Sequence, residues 1–192
     1  MAAPAVIDTT RLRLQDVVTS GKGAKSIPIA HADGSAVVWQ PSAMSVLWNP
    51  SAFNDAEATR QTICFVPTPE VCSSVESLDN KWLTNAIALD SSRLLGKQLS
   101  ADEARKQYQS PLRTHEATGA KSLRVKLNTT GRSQVRCWDT FRKPREQPSS
   151  WTECSVTPRI SIQSVWIMGA SFGATLELRD AMLDEAQTEC PF

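Results

Sequence analysis

The sequence predicts an α+β domain, mostly β, in which short strands close into a small Greek-key barrel and the helices gather in one connection. Three observations predict it. Short apolar or alternating runs separated by turn residues occupy both ends of the chain, and apolar residues at helical spacing are confined to its middle. There is also no internal repeat and no β–α–β alternation of the kind a parallel doubly wound sheet requires. A sandwich or jelly roll fits the same strings of strands, so both stay open beside the barrel.

Residues 1–26 show little periodicity and contain Gly21-Lys22-Gly23, which reads as a flexible N-terminal arm. One domain is expected over residues 27–180. Its first strands fall on Ile27/Ile29, Val37-Val38-Trp39, Met44/Val46/Trp48 and Ile63/Phe65, divided by Asp33-Gly34, Pro41 and Asn49-Pro50. A helical insertion is expected at about residues 74–108, where Leu78, Trp82, Ala86 and Leu89 recur at helical spacing and Gly96 offers a stop. Ser100-Ala101-Asp102-Glu103 has the form of a capping box that opens a second helix. Beyond Pro111 the strand pattern returns in Leu123-Arg124-Val125-Lys126-Leu127, Val135-Arg136-Cys137-Trp138, Ile160-Ser161-Ile162 and Ala174-Thr175-Leu176-Glu177-Leu178. Residues 181–192 read as a short acidic C-terminal tail. An OB-like Greek-key barrel is an economical way for such strands to avoid raw edges.

Composition narrows the class. At 192 residues, with 41% hydrophobic and 21% charged, the chain has the length and balance of one soluble globular domain. Its apolar runs, such as Val165-Trp166-Ile167-Met168, fall far short of the ~18 residues of a bilayer span. The start lacks a basic segment followed by an apolar one, and the cysteines number five, an odd count. An intracellular protein, in the nucleus or cytoplasm and not secreted, is therefore expected, with no membrane partner.

The formal charge of +1 hides an asymmetry. Residues 93–145 hold thirteen Lys and Arg against four Asp and Glu, a net +9, while residues 180–192 hold four acids and no base. A basic middle before an acidic end points to an electropositive binding face and a separate tail.

Catalysis finds little support. His31 and His115 are the only histidines, no nucleophile motif accompanies them, and Gly-rich phosphate loops are absent. Cys64, Cys72, Cys137 and Cys154 lack the C-x₂₋₄-C spacing common in zinc sites and are read as buried thiols. Neither a metal nor a cofactor is expected. Asn128-Thr129-Thr130 matches a glycosylation sequon but reads as a hairpin turn with Gly131.

Residues 123–151 are more informative. Strand alternation puts Leu123, Val125 and Leu127 on one face and Arg124 and Lys126 on the other; the next run puts Val135 and Cys137 opposite Arg136 and Trp138. The connection that follows carries Phe141, Arg142, Lys143 and Arg145 and closes with Trp151. Interleaved cations and flat aromatics suit single-stranded nucleic acid, whose phosphates need positive charge and whose unstacked bases need a π surface. Arg124, Lys126, Arg136, Arg142, Lys143 and Arg145 are the candidate phosphate contacts, and Trp138, Phe141 and Trp151 the candidate stacking platforms. Trp82 and Trp166, in apolar neighbourhoods, are assigned to the core. At the other end, Pro191 and Phe192 close an acidic run and form a candidate hook for a partner pocket with a basic rim.

Residues 122–138, the segment Ile160-Ser161-Ile162-Gln163-Ser164-Val165-Trp166-Ile167-Met168 with Phe172-Gly173-Ala174-Thr175-Leu176-Glu177-Leu178, and the Pro191-Phe192 end together carry a resemblance. The chain resembles the single-stranded DNA-binding proteins of phage replisomes and large DNA viruses, although its tail is shorter and less acidic. The resemblance implies an OB barrel with a helical insertion, no enzyme activity, and binding of single strands without strong sequence choice. It also implies a viral replication or repair role in which the protein coats strands and recruits partners through its C-terminus. RNA as a ligand and a homo-oligomeric state are left open. The alternative is a structural or assembly subunit of a virion or organelle complex, with the same aromatics buried against neighbours.

Overall fold

The structure, a computed structural model, describes residues 6–52, 55 and 58–185. Its strands are β1 (Leu12–Leu14), β2 (Val18–Thr19), β3 (Lys25–His31), β4 (Val37–Trp39), β5 (Met44–Ser51), β6 (Arg60–Val66), β7 (Leu112–Thr114), β8 (Lys121–Asn128), β9 (Arg136–Trp138), β10 (Pro144–Arg145), β11 (Cys154–Met168) and β12 (Ser171–Glu185). The helices α1 (Pro69–Glu76), α2 (Thr84–Leu89), α3 (Ser91–Leu95) and α4 (Ala101–Gln107) lie between β6 and β7, with a π-helical turn at Ser77–Leu83 linking α1 to α2. The protein is thus mostly β, with its α-helices in one connection among the described residues and a single 3-10 turn at Thr9–Arg11 before β1. Among the described residues no helix is long and apolar enough to cross a membrane.

Five strands close on themselves. β5 pairs antiparallel with β6, β6 antiparallel with β8, β8 parallel with β12, β12 antiparallel with β11, and β11 antiparallel with β5. The parallel step is what lets a chain of antiparallel strands return to its starting edge. β11 makes this possible by its length. One of its edges takes β5 at Ser155 and Val156, β4 at residues 160–162 and β3 at residues 164–167, while the other follows β12 throughout. Register shifts at Arg159/Ile160 and Ile162/Ser164 bend it between these partners.

Inside the ring, Ile63, Phe65, Leu123, Val125, Leu127, Val156, Ile160 and Leu178 are fully buried. Alternation along β8 is strict, with Arg124 and Lys126 outward, because a strand covered on one face only must keep period two. Helix α1 begins at Thr68, whose hydroxyl accepts from the Val71 N–H, with Pro69 in the first turn, and buries Val71 and Val75. Gly96 ends α3 in the left-handed conformation at φ 71°. The capping box is present: Ser100 Oγ accepts from the Glu103 N–H, and the Glu103 carboxylate accepts from the Ser100 N–H.

Three sequence expectations are corrected. The N-terminal segment is not a free arm over its described part: β1 pairs with β3, and Leu12 is 1% exposed. Leu12 and Leu14 supply the alternation, but three residues are too short a run to stand out in a sequence. At the other end, β12 continues through residues 181–185 with Ala181 and Leu183 buried, so the tail reading does not hold there, and residues 186–192 lie outside the described set. Finally, β8 and β9 do not form a hairpin around Gly131. The chain leaves β8, returns with the Val135 N–H donating to the Asn128 carbonyl at 2.9 Å, and β9 then runs parallel to β12 further along the same edge.

Candidate nucleic-acid interface

The outer faces of β5, β6, β8 and β12 form the floor of an open groove of about 1650 Å³. Two rows of side chains cross it in register. The first runs Trp48, Cys64, Arg124, and the second Ser51, Thr62, Lys126. Around the floor stand the β11–β12 hairpin, with Trp166 and Met168, the turn at residues 22–25, the end of α3, and the segment Gln109, Ser110, Pro111 and Arg113.

The charge of the groove is one-sided. Lys22, Lys25, Arg93, Arg113, Arg124 and Lys126 line it, and among the described residues no Asp or Glu does. Arg93 is neutralised by Asp16 and Asp90, both at 2.5 Å. The other five form no ion pair among the described residues. Instead Lys126 Nζ donates to Thr62 Oγ1 at 2.7 Å, and Arg113 donates to Gln109 Oε1 at 3.1 Å. Burial, and then the nearby guanidiniums of Arg60 and Arg124, hold the Lys126 ammonium below its ordinary pKa. Burial likewise pushes the Cys64 thiol up, against the opposing pull of Arg124. Five of these cations are therefore held in the groove without a compensating anion among the described residues, and a bound phosphate would relieve their mutual repulsion.

Two indoles complete the groove. Trp48 is 59% exposed, because a register shift in β5 between Val46 and Trp48 turns its ring to the side opposite Met44 and Val46. Trp166 pairs across the hairpin with Gly173, where a Cβ would lie 2.8 Å from its ring and 2.3 Å from the Gln109 carbonyl oxygen. The missing side chain leaves room for the indole to lie on the strand. Assignment of Trp166 to the core is thus corrected: it is partly exposed on the groove wall.

The residues expected to bind nucleic acid divide into four sets. Arg124 and Lys126 are in the groove. Arg136 and Trp138 lie further along the same outer face, both tied to Asp180: Arg136 Nε stands 2.7 Å from one carboxylate oxygen, and Trp138 Nε1 donates to it at 3.1 Å. Phe141, Arg142 and Lys143 sit on the turn between β9 and β10, with Arg145 in β10. There Phe141 is 82% exposed, and Arg142 adopts φ 63°, inside a turn closed by the Arg142 N–H donating to the Asp139 carbonyl and the Lys143 N–H to Asp139 Oδ1. Trp151 is a correction. Its ring is in the core and offers no stacking face, the residue being 4% exposed, and its backbone N–H donates to Asn49 Oδ1 at 2.6 Å. Pro191 and Phe192 lie outside the described residues.

No family model matches the chain, and no curated protein matches it. In structure it is similar to the single-stranded DNA-binding protein of bacteriophage Enc34 in complex with ssDNA, at 10% identity and a TM-score of 0.49, over 90% of this chain and 96% of that one. It is also similar to a second structure of the single-stranded DNA-binding protein from bacteriophage Enc34, at 11% identity and a TM-score of 0.48 over 94% and 96% of the two chains.

Sequence reasoning missed Trp48, Trp166, Lys22, Lys25, Arg93 and Arg113 as neighbours in one site. Arg93 and Arg113 fall within the basic stretch; the β7–β8 pairing brings Arg113 beside β8, while Arg93 arrives with the helical connection, a placement no local signal encodes. His31 and His115 do not line the groove. Among the described residues Cys64, Cys72, Cys137 and Cys154 form no disulfide with one another, and no cluster of three or more metal-ligating side chains occurs.

Proposed function

We propose that the protein is a non-catalytic single-stranded DNA-binding protein of replication or repair, with the closed ring of β5, β6, β8, β11 and β12 serving as an OB-type barrel. The observation that carries this reading is the groove: two partly exposed indoles among cations, with no acid among the described residues that line it. Phosphates need fixed positive charge, and unstacked bases need a flat ring at the same depth; an open groove that supplies both suits a flexible single strand. A duplex would leave the indoles idle. Arg124 and Lys126 would take phosphates and Trp48 and Trp166 would stack bases, with Arg136, Arg142, Lys143 and Arg145 as outer cations and Trp138 and Phe141 as outer rings. In the same reading Pro191 and Phe192 would engage replication or repair partners.

Titration of the purified protein with oligo(dT), read by tryptophan emission, tests the proposal. Quenching is expected, together with a loss of about 1–3 kcal/mol in affinity for Trp48→Ala and for Trp166→Ala. Because Trp48 is largely exposed, its variant should melt with the wild type. Undiminished affinity in both variants would refute the assignment of the groove.

A further inference from the structure

The groove does not end at Lys126. Beyond it on the same outer face lie two buried carboxylates, each held by a pair of arginines. Glu177, whose side chain is 4% exposed, is bracketed by Arg179 at 2.9 Å and Arg60 at 3.6 Å. Asp180, at 12%, is bracketed by Arg136 at 2.7 Å and Arg159 at 3.1 Å. One guanidinium is enough to neutralise one carboxylate, so each cluster keeps a surplus positive charge. The arginine side chains remain 35% to 62% exposed, and each guanidinium has five N–H donors, more than its carboxylate accepts. Burial alone would raise the Asp180 pKa, but hydrogen bonds from Arg136, Trp138 and Arg159 outweigh it and hold the carboxyl below its usual range. The acid therefore stays ionised and keeps its arginines in place.

The positions of these clusters matter as much as their charge. Arg60 stands two residues before Thr62 on β6, Glu177 pairs with Lys126, and Asp180 pairs with Arg136 on the resumed strand line. The register shift at Arg179 puts Glu177 and Asp180, three residues apart on β12, on one face and within about 10 Å of each other. Next comes Trp138, on Asp180 itself, and then the turn that bears Phe141.

We infer that the two arginine–carboxylate–arginine clusters are preorganised phosphate seats, which extend the single-strand path from the groove along β12 to the Phe141 turn. The inference rests on the groove reading of the proposed function. Asp180, hydrogen-bonded to both of its arginines, and Glu177, within ion-pair distance of both of its own, place the guanidiniums in advance and so reduce the side-chain ordering that each phosphate contact would otherwise cost.

The test uses Arg60→Gln with Arg159→Gln in the full chain, a double variant that leaves Arg179 on Glu177 and Arg136 on Asp180. Affinities are measured against salt for an oligo(dT) of about six nucleotides, which the groove can hold, and one of about twenty, which can follow the whole path. A parallel double variant, Arg11→Gln with Arg105→Gln, removes the same charge from exposed ion pairs with Asp33 and Asp102 away from the path. For the long oligonucleotide the log–log salt slope should flatten by about 1.4, equivalent to about a sixtyfold loss at 50 mM relative to 1 M salt. The short oligonucleotide and the parallel variant should bind as the wild type does. Wild-type affinity for the long strand in the Arg60/Arg159 variant overturns the inference while the groove reading stands, and an equal loss in the parallel variant overturns it in favour of a diffuse field effect. If the wild type binds neither oligonucleotide, the groove reading itself fails and takes the inference with it.

Discussion

Replacing Asp79 by Asn should stabilise the protein at neutral pH and leave it unchanged in acid. Asp79 is 3% exposed in the π-helical turn, where it accepts from the Tyr108 hydroxyl at 2.5 Å and from the Ser110 hydroxyl. Burial raises its pKa from 3.8 to about 6, against the opposing pull of those two donors. Below pH 3.8 the carboxyl is protonated in both the folded and unfolded states. As pH rises from there to about 6 the unfolded chain gives up the proton while the folded chain keeps it, so stability falls; above about 6 the loss is complete. A gap of about two pH units at about 1.4 kcal/mol each makes the loss about 3 kcal/mol. Asn has the shape of the neutral acid and no charge to bury, so the variant should escape the loss. For a chain of this length about 3 kcal/mol corresponds to about 6–12 °C in melting temperature. Thermal melts of both proteins from pH 3.5 to 7.5 should coincide at the acid end and diverge through the window, with the variant higher. A variant that melts below the wild type at pH 7.5 would refute the reasoning, because ionised Asp79 would then contribute more through its hydroxyl partners than burial removes.

Two further outcomes follow from packing. Gly173→Ala puts a methyl where the Gln109 carbonyl and the Trp166 ring already stand, so a loss of about 1–3 kcal/mol in stability by chemical denaturation is expected, with weaker oligo(dT) binding as Trp166 is displaced; unchanged stability and binding would show that the ring is free to move. Trp151→Ala empties a core site and should cost about 3–5 kcal/mol in a melt while leaving affinity per folded molecule intact, whereas a loss of affinity without a loss of stability would return Trp151 to the binding surface.

The parts of this fold that were legible in the sequence are those governed by neighbours in the chain. Alternation in β8 gave both its buried face and its cationic face, because a half-covered strand has only two sides. The capping box at Ser100 and the stop at Gly96 are local hydrogen bonding and local φ, and each could be read from four residues or fewer. Trp48 was hidden by a single extra residue: Met44, Val46 and Trp48 look like one apolar face until the register shift inverts the last of them. Trp151 was misjudged for a related reason. Its loop setting and basic neighbours suggested exposure, but the Asn49 side chain, 102 residues away in sequence, takes its N–H and the ring is buried. Ring closure, the length of β11 and the convergence of Lys25 and Lys126 all depend on pairings between distant segments, on which periodicity is silent.

The distribution of acids on the outer face explains why the positive charge survives where it does. Glu177 pairs with Lys126 across β12 and β8, and in that register a direct ion pair would have neutralised the groove floor. Instead Arg60 and Arg179 hold the Glu177 carboxylate, and Lys126 turns to the Thr62 hydroxyl, a partner without charge. Glu177 thus spends its charge on two arginines that keep a surplus even so, and the lysine keeps all of its own. Asp180 repeats the arrangement with Arg136 and Arg159 three residues further on. Buried acids on this face do not lower its attraction for an anion below what one lysine would give; they hold pairs of cations at fixed places along a strand. A carboxylate in that position organises the outer face more than it neutralises it.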